Sequence, residues 1–283
     1  MRTALCILAF ALVASAAAPA QQTVPLHSRV TDALKRMESK DAAAREAAYD
    51  DLSSICAEGA NAAPQAAASP IKAYGNTLTA FFVQHPEEAD RVKIGFIRLL
   101  RRENNASETG QQGTDTESYG AYVFDLTQTV SALHDERTIP VLVESITRSG
   151  VDLLQFGDEA LEPVLAQLKN PDALVRVVTL ETALGILREK DDVASRDRIR
   201  ALILSSLEDR SLVVRSAAVD SIDCLEGRQE FVSTLEKIAK TDPDKFSRKA
   251  KALDGGDGNE LYPVRYAARR VLRDIQNNTT CQH

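Results

Sequence analysis

The chain has 283 residues, of which 44% are hydrophobic, 27% charged and 5% aromatic, with no Trp. Those fractions exclude disorder along the whole length, and 13 Gly with 10 Pro are too few for an all-β protein full of tight turns. With 34 basic against 41 acidic residues the net charge is −7, which argues against a nucleic-acid binder.

Met1-Arg2, an apolar run from Thr3 to Ser15 and the small residues of Ala18-Pro19-Ala20 have the three-part layout of a secretory signal peptide over residues 1–20. The run falls short of the ~20 apolar residues a bilayer span needs. The expectation is therefore a secreted or periplasmic protein, cleaved after Ala20, with no membrane span afterwards. Cys6 stands too early in the run to be a lipidated cysteine at a cleavage site. Export leaves Cys56, Cys224 and Cys281 in a compartment that permits disulfides. Cys281 lies on a polar tail (277–283) past the last predicted helix and Cys224 ends a helix one repeat earlier, so a Cys224–Cys281 staple is one reading. The other keeps Cys56 and Cys224 as small buried apolar residues without a bond.

After a short tail (21–26), residues 27–135 predict degenerate helical repeats and residues 136–276 clearer ones. Arg45, Arg176, Arg215 and Arg265 serve as a common zero. One position earlier stand Ala44, Val175, Val214 and Val264; three later, Ala48, Thr179, Ala218 and Ala268. Leu52, Ala183, Ile222 and Leu272 follow at seven, and Ile55, Ile186, Leu225 and Ile275 at ten. Steps of three and four return to one helical face, so each copy predicts a helix with one buried stripe. Asp41, Asp172 and Ser211 stand four before the arginine, where their oxygens suit an N-cap. The fourth copy has Leu261 there, with Pro263 fitted to a first turn. Thr138–Ile146 and Ala160–Leu168 read as matching partner helices, and Ile199–Leu207 and Phe231–Ile238 as further ones.

Helix pairs in units of about 40 residues, whose second helices share variants of Asp-x-x-Val-Arg with a small residue three later, resemble HEAT repeats, most closely the bacterial lyase-like ones. The resemblance implies an all-α, HEAT/armadillo-like α-solenoid (an α-α superhelix), in which stacked hairpins share one continuous core. It makes the signature arginines structural, bonded to a neighbouring repeat's capping Asp or to turn carbonyls. It also implies that the second helices line a concave face, onto which offsets +1, +5 and +8 point. Those are Val177, Glu181 and Leu184; Ser216, Asp220 and Asp223; Tyr266, Arg270 and Arg273. The expected groove is apolar, then acidic, then basic, although Leu184 also suits the core and the arginines also suit the polar outer face of a terminal repeat.

Three stretches interrupt the pattern. Residues 59–70 read as a loop or frayed helix start. Residues 103–118, with one Ala as the only apolar residue, read as a solvated loop or insert. Residues 254–260 carry Asp254, Asp257 and Glu260, but their spacing fails the EF-hand calcium pattern. Arg98, Arg101 and Arg102 read as cations at a helix C-terminus. The four His and the acids form no metal, nucleophile or phosphate motif, and His134-Asp135-Glu136 reads as a turn. No metal or cofactor is expected. The function expected is an exported scaffold that binds a protein partner on the concave face; the alternative is a lyase-like or hydrolytic enzyme on the same scaffold.

Overall fold

The computed structural model describes residues 24–59, 70–108, 116–190, 192–247 and 260–279. The expected signal peptide (1–20), residues 60–69, most of the 254–260 loop and Cys281 lie outside the described residues. What is described is helical apart from one short antiparallel pair, β1 (Phe246–Ser247) with β2 (Glu260–Leu261), in which Phe246 stands opposite Leu261.

The first half comprises α1 (Leu26–Arg36), α2 (Ala42–Gly59), α3 (Pro70–Gln84), α4 (Pro86–Glu108) and α5 (Thr116–Ser131). The short helices α6 (Ile139–Glu144), α7 (Ile146–Ser149) and α8 (Asp158–Ala166) follow. Then come α9 (Ala173–Arg188), α10 (Val193–Ser206), α11 (Leu212–Asp223), α12 (Val232–Thr241) and α13 (Pro263–Gln276). Each helix packs on its neighbours: α1 on α2, α4 on α5, α9 on both α10 and α11, and α13 on both α11 and α12.

The helix starts follow from the capping chemistry. Asp41 accepts from the Ala43 N–H, Asp172 from Leu174 and Ser211 from Val213, each satisfying a donor that has no partner inside the helix. α13 starts instead with Tyr262 before Pro263 and has no side-chain cap. The predicted stripe is the packed one: Ala48, Thr179, Ala218 and Ala268 are all fully buried, where small side chains allow close helix approach. Close approach recurs at Gly150, where a Cβ would stand 2.7 Å from Thr182 Oγ1 and 2.8 Å from Val178 Cγ1.

Several local expectations need correction. The polar stretch 103–118 is not one loop, because α4 continues to Glu108 and α5 begins at Thr116. Glu103 and Asn104 are buried inside this segment, and both are tied to other helices. Arg98, Arg101 and Arg102 consequently sit in the body of α4 rather than at its end; Arg102 donates to the Glu38 carbonyl and Arg101 lies 3.7 Å from Glu144. The segments from Thr138 and Ala160 do not match either. Pro140 falls in the first turn of α6 but Pro163 lies inside α8, and the first segment breaks at Ser145, whose hydroxyl turns back to the Val141 carbonyl. Pro lacks the amide that an interior position needs, so the same residue type plays different parts in the two segments.

Candidate functional site on helices α9, α11 and α13

The four signature arginines are pinned backwards. Arg176 forks onto Asp209 with two 2.8 Å bonds and donates through Nη1 to the Asn170 and Pro171 carbonyls. Arg215 forks onto Asp242 at 2.8 and 3.1 Å, reaches Asp244 at 2.6 Å and donates to the Asp209 carbonyl. Arg45 pairs with the buried Glu103 and donates to the Ser39 and Lys40 carbonyls. Arg265 departs: it donates to the Asp242 carbonyl and lies over the Tyr262 ring, 4.0 Å from its centre. In the first three copies the guanidinium closes the turn before its own helix and grips an acid further along the chain. The hydrogen bond from Arg176 holds the Asp209 carboxyl below the usual carboxylate range, against the opposing effect of burial.

With the arginines turned inward, a different set of residues meets water. Val177, Glu181, Leu184, Ser216 and Asp220 line one groove of about 470 Å³ between α9 and α11. Leu184 is its floor, only 1% exposed and part of the core. Glu181 is exposed, yet partial desolvation by its neighbours raises its carboxyl above the usual range, and it has no cationic partner among the described residues. Tyr266 is 66% exposed on α13.

The expected sequence of an acidic zone followed by a basic one does not occur. Arg270 donates to Asp220 at 2.7 Å and to Asp223 at 2.9 Å, so the two zones neutralise each other between α11 and α13. Asp223 is buried rather than presented, since Arg228 holds its other oxygen at 3.0 Å. Arg273 is exposed. Asp220, Asp223 and Arg270, at offsets +5 and +8, therefore serve to join helices. Offset periodicity shows that groups share a face, but not that they lie within bonding distance across it.

Two apolar residues on this face were not expected. Leu174 and Val213, two positions before their arginines, are 56% and 50% exposed, and Val213 lines the groove. Each lies three residues before an offset +1 residue, hence on the same helical stripe. That spacing is the signal that would have identified them. Exposed Leu174, Val213 and Tyr266 and half-buried Val177 are thus the apolar residues of these helix faces.

Other chemistry lies elsewhere. His134-Asp135-Glu136 is a turn, with His134 at φ 47°; Asp135 caps the next turn and is held well below the usual carboxylate range by its hydrogen bond from Arg137. No cluster of three or more His, Cys, Asp or Glu suited to hold a metal occurs among the described residues. Cys56 is buried and its thiol is pushed up to about 12 by desolvation, so it remains protonated and unreactive. Cys224 is disulfide-bonded, which excludes the unbonded reading for that residue; Cys281, its expected partner, lies outside the described residues.

Asp152 is a buried acid with no cationic partner among the described residues. Gln128 Nε2 donates to it at 3.0 Å, and burial raises its carboxyl despite the hydrogen bonds from Gln128 and Ser131. A carboxyl whose folded pKa is raised carries a charge that destabilises the fold above that pKa, and the penalty disappears as protonation takes over at lower pH. Asp152→Asn keeps an oxygen for Gln128 to bond. It is expected to melt above wild type at pH 7, with the advantage lost as the pH falls into the ordinary carboxylate range. Thermal melts from pH 7 to pH 4 check this, and a lower Tm at pH 7 contradicts it.

No family model matches the chain, and no curated protein or solved structure matches it.

Proposed function

We propose that this protein is an exported α-solenoid of the HEAT type that acts as a scaffold, binding a protein partner along α9, α11 and α13. The observation that carries this reading is the exposure of Leu174, Val213 and Tyr266 at matching positions of α9, α11 and α13, with Val213 and half-buried Val177 lining the groove that holds Glu181. Apolar side chains exposed together on one surface cost solvation that a partner recovers, and an aromatic side chain such as Tyr is a frequent anchor in protein interfaces. The array is supported by the recurring arginine anchor and by the neighbour-to-neighbour packing of α9, α11 and α13. A disulfide at Cys224 fits an oxidising compartment, in line with export.

The test is recovery of partners from an envelope fraction by wild type and by Val213→Asp/Tyr266→Asp. Both side chains are at least half exposed, so the variant is expected to melt within a few degrees of wild type. A partner seated on this face is expected to drop about tenfold or more in recovery, the scale of one lost hot spot. Undiminished recovery of every partner contradicts the assignment of the face.

A further inference from the structure

Glu181 and Arg188 stand seven positions apart on α9, hence on one stripe and about 10 Å apart along the helix axis. Both line the groove of about 470 Å³ against α11, with Leu184 between them as its floor and Val177 and Val213 earlier on their helices. The helix itself does not answer either charge. The residues three and four positions from Glu181 are Val177, Val178, Leu184 and Gly185, and those before Arg188 are Leu184 and Gly185. The groove does not answer them either, because its other charged side chain, Asp220, is held by Arg270 at 2.7 Å. Arg188 donates to the Ser221 carbonyl at 3.3 Å; its charge, like that of Glu181, meets no opposite charge among the described residues. Desolvation, with no such charge to offset it, raises the Glu181 carboxyl and lowers the Arg188 guanidinium.

We infer that this groove selects a partner segment carrying a basic and an acidic side chain three positions apart, the base against Glu181 and the acid against Arg188, across the Leu184 floor. The inference names the chemistry of the partner proposed above and rests on that reading. An extended segment of the polyproline II type rises about 3.1 Å per residue with three residues per turn, so positions i and i+3 return to one side about 9 Å apart. That is close to the axial spacing of the two charges on α9. The guanidinium can fork onto a carboxylate through two parallel bonds. Selection comes from the separation of the two signs and not from a net charge: a segment of one sign gains at one end only.

The probes are four peptides with blocked ends and one common sequence, each titrated into the protein by isothermal calorimetry. One carries lysine and glutamate three positions apart, one the lysine alone, one the glutamate alone, and one glutamine at both positions. The doubly charged peptide is expected to bind about tenfold tighter than the neutral one, about threefold from each charge, the scale of exposed ion pairs. In Glu181→Gln the lysine is expected to lose its effect while the glutamate keeps it, and in Arg188→Gln the reverse. Both positions are exposed, so both variants are expected to melt within a few degrees of wild type. Equal affinity for the four peptides, or charge preferences that neither variant changes, would overturn the inference.

The envelope fraction separates this failure from failure of the partner face. Glu181→Lys/Arg188→Glu is expected to lower recovery of the same partner that Val213→Asp/Tyr266→Asp loses. A partner that needs Val213 and Tyr266 but is recovered in full by the charge variant leaves the face standing and overturns the inference. Recovery unchanged in both double variants removes the face, and the inference with it.

Discussion

Arg45→Ala is expected to destabilise the protein by about 3–5 kcal/mol, the range for breaking a buried ion pair from one side. Glu103 is fully buried and Arg45 only 4% exposed, so water cannot replace the lost guanidinium. The Ser39 and Lys40 carbonyls lose their donor as well, and the Tyr119 hydroxyl, which donates to Glu103 at 2.7 Å, is left with an unbalanced acid. The Arg45→Met/Glu103→Leu double variant is expected to recover most of the loss, because removing both charges also removes the cost of desolvating them. Urea unfolding of the wild type, both single variants and the double variant measures the coupling. Additive losses, or a single-variant loss below about 1 kcal/mol, would show that the pair does not join α2 to α4 in this way.

Arg215→Ala is the second large effect, at about 3 kcal/mol. Its principal partner, Asp242, is buried, while Asp244 is partly exposed and can return to water. Arg265→Ala, which removes a bond to a neutral carbonyl and a ring contact, is expected to cost only about 1 kcal/mol. Asp209 is more exposed than Asp242, with side chains at 16% and 5%, so Arg176→Ala is expected to fall between the other two. Urea midpoints for the three variants check the order. Equal losses at all three positions would mean that the turn carbonyls, rather than the buried acids, set the cost.

The arginine stripe was legible in the sequence because helical spacing is local. Ala48, Thr179, Ala218 and Ala268 stand at one offset and all are buried, as a shared helical face requires. The acids that hold the arginines were not legible. Glu103 lies 58 residues after Arg45 in a segment with almost no apolar residues, and polar composition alone reads as solvent-facing. What buries it is the arrival of α2, a tertiary event that no local pattern records. Arg270 and the Asp220–Asp223 pair were read as separate charge zones for a related reason: their common face was visible, but their 2.7 and 2.9 Å contacts were not. Leu174 and Val213 went unmarked because an apolar residue at a helix start is by default assigned to the core, and burial depends on the neighbour opposite. The face keeps exposed apolar residues, a neutralised centre and Glu181, which has no cationic partner among the described residues.

Photo-crosslinking from the face itself tests the account most directly. A benzophenone side chain is placed at Val213 or Tyr266, and at Leu204 of α10, which is also exposed, as the control. The account predicts that Val213 and Tyr266 capture the same envelope protein and Leu204 does not. Capture from Leu204 with none from Val213 or Tyr266 would contradict it.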